Sequence, residues 1–392
     1  MFTVFDILCA IVILTQFMTN EEKFKLITRN LEEVLTEEEL KNLIESGIPL
    51  KHYIGFEISG KGHVGWVFTM QKIKDLQDAG VEVNILLADW HTWLNKKLDG
   101  TLETAKRMAK EYFEQALKAC ALSAGADPEK INFVLGSELY EKLGGDYWAE
   151  VIQVAKTTTL ARMIRSTTIM GRKESEISDT AMLIYPAMQA ADIFALEVNI
   201  AHAGTDQRNV HVVAREAAGE MGKQKPIAIH HHLLQGLMQP VFTVDENGKK
   251  VMDLEAAKMS KSKPDSAIFI HDEPDEIKKK IINAYCPEGE VEFNPILDWT
   301  KHLIFYPSAL PDQVLEVQVL EVQRKPEYGG SVVYSSYEDL EKDYAEKKLH
   351  PMDLKNAVAE WLIAKLEPAR KYFEDPKRKA ALEEIEKFTS KS

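Results

Sequence analysis

From residue 50 onward, short apolar runs alternate with longer stretches whose apolar residues recur every three or four positions, and no other feature limits the fold as strongly. Residues 52–58 (HYIGFEI) read as a strand, after which Val64, Val67, Phe68, Ile73, Leu76 and Ala79 repeat at helical spacing until Gly80 ends the helix. Further strands are expected over 82–89, 131–135, 198–202 and 226–230, with helices over 102–123, 146–172, 177–194 and 206–221 between them. Strands separated by crossover helices build a parallel sheet covered on both faces. Beyond residue 275 the pattern turns helical, over 275–285, 337–346 and 352–373. VLEVQ, written twice at 314–323, predicts an edge strand rather than a repeat architecture. The charged tail, 375–392, reads as a solvated helix. The expected division is a leader at 1–17, an α/β unit with a helical insertion at 18–245, a basic loop region at 246–275 and a C-terminal unit at 276–392.

Composition narrows the function. The chain of 392 residues suits two or three domains. It carries 48 basic and 62 acidic side chains, a net charge of −14, so any contact with nucleic acid must come from local basic patches rather than a whole-surface field. Cys9, Cys120 and Cys286 give neither a disulfide framework nor a zinc-ligand spacing, which fits a reducing cytoplasm. The apolar run at 7–14 is eight residues long, against about 20 for a bilayer span, and no basic n-region marks it as a secretory signal. Met18 followed by Thr19, Asn20, Glu21 and Glu22 reads as a helix N-terminus, so residues 1–17 are expected to lie outside the fold, with a start placed too far upstream.

Two motifs carry chemistry. Ser59-Gly60-Lys61-Gly62-His63-Val64-Gly65 joins the first strand to its helix, where glycines let a ligand approach the backbone and the helix N-terminus offers free N–H groups to phosphate. It matches neither the Walker A loop nor the dinucleotide G-x-G-x-x-G. By itself it is equally well a structural turn. Nearly 200 residues later, Lys258-Met259-Ser260-Lys261-Ser262-Lys263-Pro264 places three lysines and two hydroxyls in a loop that could clamp a polyphosphate, or simply be solvated.

Lys258 to Ser262 spells KMSKS, and His63-Val64-Gly65 is a degenerate HIGH motif. In this order and on these elements the pair resembles a class I aminoacyl-tRNA synthetase. The blocks YIGFE (53–57), YPAMQAAD (185–192), GTDQR (204–208) and LHPMDLKN (349–356) are similar to the tyrosyl-tRNA synthetases of archaeal and eukaryotic type, over about residues 20–375. The resemblance implies a Rossmann-type parallel-sheet catalytic domain followed by a mainly helical C-terminal tRNA-binding domain. It implies a two-step ligation of L-tyrosine to tRNA(Tyr) through tyrosyl-adenylate, with ATP and Mg²⁺, by a cytoplasmic homodimer.

The same resemblance implies the site. Tyr53 and Asp192 would meet the substrate phenol, Tyr185, Gln189 and Gln207 its amino and carboxylate ends, and Gly55 and Glu57 belong to that pocket. His63, Lys258 and Lys261 would stabilise the transition state. Gly55, His63, Gly65, Asp206, Lys258, Ser260 and Lys261 would hold ATP, with Asp206 on the ribose hydroxyls. For tRNA, Arg165 and Arg208 would read the first acceptor pair, and Tyr328, His350 and Asp353 the anticodon. The residue types agree with these tasks: Tyr185, Gln189 and Asp192 recur at i, i+4 and i+7 on one helix face, and an aromatic ring with a carboxylate suits an exposed single-stranded loop. For His350 and Asp353 the alternative is a helical surface cap. Trp66 departs from the family, many of whose members carry a second polar residue there. No resident metal is expected: His230, His231 and His232 are adjacent on a strand and point to opposite faces. The competing readings are a tryptophanyl-tRNA synthetase, which has no reason to keep both Tyr53 and Asp192, and a non-catalytic RNA-binding paralogue, suggested by Trp66.

Overall fold

Thr19 caps helix α1 (Asn20–Thr28): its hydroxyl accepts from the Glu22 amide while the Glu22 carboxylate accepts from the Thr19 amide. The computed structural model describes residues 18–171, 174–244, 250–252, 259, 264–306 and 319–389; the leader at 1–17 and the first VLEVQ copy lie outside them. Strand β1 (Leu31–Leu35) and helix α2 (Glu37–Glu45) come next, and the apolar pattern predicts neither. The expected β-turn-α unit follows as β2 (Lys51–Glu57) and α3 (Val64–Asp78), then β3 (Glu82–Ala88) and α4 (Asp89–Leu94). The long helix expected at 102–123 consists of α5 (Leu102–Met108), a π-helical turn (Ala109–Phe113) and α6 (Glu114–Ala124), and leads to β4 (Ile131–Leu135).

Helices α7 (Gly136–Leu143), α8 (Gly145–Thr157), α9 (Leu160–Ser166) and α10 (Tyr185–Ala195) precede β5 (Ile200–Gly204), α11 (Arg208–Glu220) and β6 (Ile227–His231). The helix expected over 146–172 is broken at Thr158, because Thr159 turns extended and its side chain caps α9. The helix expected over 177–194 begins only at Tyr185, with Pro186 in its first turn, behind a 3₁₀ turn at Thr180–Leu183.

The sheet has the order β1-β6-β5-β2-β3-β4, with β1 antiparallel to β6 and every other pair parallel. The chain runs from β2 outward to β3 and β4, then returns to β5 on the other side. The carboxyl ends of β2 and β5 therefore flank the point where the strand order reverses, the place at which open α/β sheets bind ligands. Successive residues of β3 serve opposite faces: Ile85 joins a core with Val67, Ile73 and Leu117, whereas Leu86 joins one with Val151, Met188 and Ile193.

A short hairpin, β7 (Phe242–Val244) with β8 (Lys250–Met252), leads toward the C-terminal helices. These are α12 (Pro274–Asn283), α13 (Pro295–Trp299), a β9–β10 pair (Leu320–Val322 and Val332–Tyr334), α14 (Tyr337–Ala345), α15 (Pro351–Tyr372) and α16 (Pro376–Thr389). The second VLEVQ copy supplies β9. Ile277, Trp299, Leu362 and Ile385 continue the first of the two cores, so the C-terminal helices share apolar packing with α3 and α6. The tail is not the freely solvated helix expected from its charge. Ala381 and Ile385, one turn apart, are buried, and Glu384 pairs with Arg107 at 2.6 Å, which docks α16 beside the π turn. Among the described residues no helix is long and apolar enough to cross a membrane.

Candidate functional site

A cavity of about 340 Å³ opens at the strand-order reversal. Tyr53, Gly55 and Glu57 reach it from the end of β2, His63 and Gly65 from the start of α3, Tyr185, Gln189 and Asp192 from one face of α10, and Asp206 and Gln207 from the 3₁₀ turn (Thr205–Gln207) after β5. All ten cavity residues expected from sequence are thus brought together. Met259 also lines the cavity, the one described residue of the KMSKS segment; Lys258, Ser260 and Lys261 lie outside the described residues.

The inner end is built around Asp192, which is fully buried. Its Oδ1 accepts from the Tyr147 hydroxyl at 2.9 Å, and Tyr147 is stacked on Tyr140 with centroids 4.0 Å apart. Its Oδ2 has no hydrogen-bond partner, with His91 Nε2 3.5 Å away and itself unbonded. Desolvation lifts the Asp192 carboxyl to about 7, Asp89 adds to the rise, and the Tyr147 and Tyr140 hydroxyls oppose it. The Tyr53 hydroxyl, buried alongside, is pushed well above its ordinary range by burial and by the nearby carboxylate. A buried acceptor without a donor is costly in isolation, so this end is prepared for a ligand that brings an N–H or O–H. Tyr147, Tyr140 and His91 carry no local motif and are missed by sequence reasoning; they come from α8, α7 and α4 and meet only in the folded chain.

The middle of the cavity is polar and interlocked. Asn95 donates to Glu57 at 2.6 Å, and the Tyr185 hydroxyl donates to the same carboxylate. Gln189 donates to the Gln207 carbonyl oxygen at 3.1 Å, and the Gln207 amide donates to the Ile169 carbonyl and to Asp206. These amides and carboxylates can meet both ends of a zwitterion.

At the outer end His63 caps α3, its Nδ1 accepting from the Gly65 amide at 3.2 Å. A Cβ on Gly65 would sit 2.9 Å from both the His63 ring and the Met259 methyl, so glycine there allows the two sequence motifs to touch. The contact continues along the backbone: Val64 donates to Ile268 and Ile270 donates to Gly62. Trp66 is buried against Phe56 and Phe113 rather than offered to solvent.

The residues expected to touch tRNA do not line the cavity. Arg165 is exposed on α9, one turn before the cavity residue Ile169. Arg208 opens α11 and pairs with Glu33 of β1 at 2.8 Å. Far along the chain, Tyr328 is 65% exposed. His350 is the N-cap of α15, its Nδ1 accepting from Met352, as the capping alternative has it, and Asp353 lies in the first turn of the same helix. Arg324 bonds to the Lys348 carbonyl at 3.0 Å, which joins the Tyr328 loop to the start of that helix.

The histidine run divides as strand geometry requires, His230 bonding to His211 and Glu33, and His231 to His202. His232, Glu32 and His302 come within metal-ligand reach of one another. His232 is already held between Glu32 at 3.0 Å and Asp298 at 2.7 Å, and its ring lies nearly parallel to His302 at 4.0 Å, so the ring lone pairs run side by side instead of converging.

Residues 45–367 match the family described as tRNA synthetases class I (W and Y). The tyrosine–tRNA ligase of Thermococcus sibiricus is 51% identical over 369 residues, covering 91% of this chain and 96% of the relative, and that of Pyrococcus furiosus is 50% identical over the same coverage. Among solved structures, the tyrosyl-tRNA synthetase from Pyrococcus horikoshii complexed with L-tyrosine superposes with a TM-score of 0.86 at 46% identity, covering 94% of this chain and all of that one. A tryptophanyl-tRNA synthetase from Aeropyrum pernix, at 19% identity and a TM-score of 0.61, shares the fold.

Proposed function

Since this chain belongs to the class I tRNA synthetases of the tryptophan and tyrosine group, we propose that the cavity residues act in the tyrosine–tRNA ligase reaction as follows. The enzyme ligates L-tyrosine to tRNA in two steps. The tyrosine carboxylate attacks the α-phosphorus of ATP and pyrophosphate leaves; the terminal adenosine hydroxyl of tRNA then attacks the carbonyl and AMP leaves. No protein nucleophile is needed, and positioning with charge stabilisation supplies the rate.

Asp192 Oδ2 accepts from the substrate phenol and Tyr53 adds its hydroxyl beside it; the carrying observation is a fully buried carboxylate oxygen without a donor, on a residue that lines the cavity. Glu57, Tyr185, Gln189 and Gln207 hold the amino and carboxylate ends. ATP enters as its Mg²⁺ complex and lies along Gly55 and Gly65, with Asp206 on the ribose. His63, Lys258 and Lys261 meet the charge that develops on the phosphates, and Ser260 adds a hydroxyl. The units involved are a catalytic domain at 18–245, the KMSKS region at 246–275 and an anticodon-binding domain from 276, in a cytoplasmic homodimer.

The phenol assignment predicts a pH dependence. Asp192 faces Tyr53 of β2, Asp89 and His91 of α4, Tyr140 of α7 and Tyr147 of α8, and its carboxyl titrates near 7. Only the ionised form accepts freely from a phenol. Tyrosine affinity should be about tenfold weaker at pH 6 than at pH 8, whereas the weak binding of phenylalanine, which has no hydroxyl, should stay flat. Titration calorimetry of both amino acids across this range decides it, and parallel curves would remove Asp192 from the phenol.

Arg165 and Arg208 recognise the first acceptor pair, and Tyr328, His350 and Asp353 the anticodon. Base-edge hydrogen bonds discriminate by about 1–3 kcal/mol each, whereas phosphate contacts weaken all sequences alike. Transcripts beginning C1:G72 should be charged about 10- to 100-fold better than G1:C72 ones, Arg165→Ala should narrow that gap, and Asp353→Ala should instead relax the choice at the first anticodon base. Charging a two-by-two set of transcripts tests both ends, and equal charging of C1:G72 and G1:C72 by the unaltered enzyme would overturn the acceptor assignment.

A further inference from the structure

The glycine-rich turn is held from behind by side chains that never reach the cavity. Gly62 is buried; its carbonyl accepts from Ile270 at 3.1 Å, and its N–H donates to the Tyr112 hydroxyl at 2.9 Å. Tyr112 sits on the π turn (Ala109–Phe113), the one irregularity in an otherwise continuous helix from Leu102 to Ala124. π turns inside α-helices are rare and frequently lie at functional sites. Here the turn buries Tyr112 and Phe113 completely and sets Phe113 against Trp66, 5.2 Å between centroids.

A phenol has one proton. The Tyr112 oxygen that accepts from Gly62 lies 2.9 Å from His271 Nε2, so its hydrogen can go to a neutral His271 that carries its own proton on Nδ1. Burial, reinforced by Lys61, pushes the imidazole down to about 3 and keeps it neutral. His271 lies two residues beyond Phe269, the residue bridged to His63, in the turn closed by the Asp272 amide on the Phe269 carbonyl. The His271 ring meets Phe373 edge-on at 4.3 Å, at the end of α15, and Tyr112 meets Phe373 at 6.0 Å. From the neighbouring helix α16, Glu386 pairs at 2.9 Å with Lys61 of the turn itself. The Gly62 amide, the exit of the basic loop and the C-terminal helices are therefore three sides of one small network.

We propose that Tyr112 is a positioning residue for ATP: through the Gly62 amide it sets the backbone that carries His63 and Gly65, and through His271 and Phe373 it makes the C-terminal helices part of the ATP site, so that they act in adenylate formation before any tRNA is bound. This rests on the assignment of the turn at 59–65 to ATP.

The test uses the full chain and tRNA-free pyrophosphate exchange. Tyr112→Phe removes one oxygen and leaves the Gly62 amide and His271 Nε2 unpaired; kcat/KM for ATP should fall about tenfold or more, while the Kd for tyrosine, measured without ATP, stays within twofold. Phe373→Ala should produce the same split, and the double variant should lose less than the product of the two. If Tyr112→Phe folds poorly, His271→Leu against His271→Gln serves, because glutamine can return an acceptor at the Nε2 position and should restore ATP use. Unchanged ATP dependence in Tyr112→Phe, or equal losses of tyrosine and ATP together with a lowered Tm, would overturn the proposal. His63→Ala separates the premise: full ATP use in that variant would remove the turn from the ATP site, whatever Tyr112 does.

Discussion

Asp192→Asn is expected to lower kcat/KM for tyrosine in pyrophosphate exchange by about 10²- to 10³-fold, with ATP dependence much less affected. Asparagine keeps the shape but can turn an amide donor toward the phenol, and it removes the charge that makes the acceptor strong. The loss should be confined to tyrosine: phenylalanine, already a poor substrate, has no hydroxyl to lose, so the ratio between the two amino acids should collapse. The fold should survive. Asp192 is buried with one oxygen unpaired and with its ionised form disfavoured by desolvation, so a neutral residue of the same shape relieves a cost rather than opening a cavity. Full tyrosine-dependent exchange in a folded Asp192→Asn protein would move the specificity contact elsewhere.

Lys261→Ala is expected to slow tyrosyl-adenylate formation by about 10²-fold, as removal of one transition-state donor commonly does, with tyrosine affinity almost unchanged. The lysine itself lies outside the described residues, and the expectation comes from its neighbours. Met259 packs against Gly65 at the cavity mouth, and the segment that follows is bonded to Gly62 and Val64. These contacts tie Met259 and residues 268–270, on either side of Lys261 in the sequence, to the turn proposed to hold ATP. Because the charge the lysine meets appears on the pyrophosphate only as the bond breaks, the loss should fall on rate rather than on ground-state binding. Presteady-state adenylate formation with a parallel tyrosine Kd separates the two, and equal losses in both would make the loop a structural one.

The sequence was most legible where burial is two-sided. Strands β2 to β6 are rich in apolar residues on both faces, as expected of a sheet covered on both sides, and most of their residues are buried. β1 escaped notice because LEEVL is a half-exposed edge strand paired on one side only, with too few apolar residues to signal. The tail hid its docking in a similar way: Ala381 and Ile385 are the two buried side chains among a few apolar residues and many charges, and only the location of their partner, the π turn, gives them meaning. Tyr185, Gln189 and Asp192 were named by the family resemblance, and helical spacing could add only that they share one face. The supports of Asp192 could not be placed, since Tyr140, Tyr147 and His91 are contributed by three separate elements and no spacing relates them. Trp66, a departure when compared with the family pattern, packs between Phe56 and the Phe113 that the π turn directs inward, and also lines the cavity beside His63.

The central claim is that this cavity selects tyrosine and activates it with ATP. Pyrophosphate exchange measured with each of the twenty amino acids tests it without tRNA and without any variant. Exchange driven by tyrosine, at least about 10²-fold above phenylalanine and tryptophan, is the predicted result; exchange driven best by tryptophan, or by none of the twenty, would contradict it.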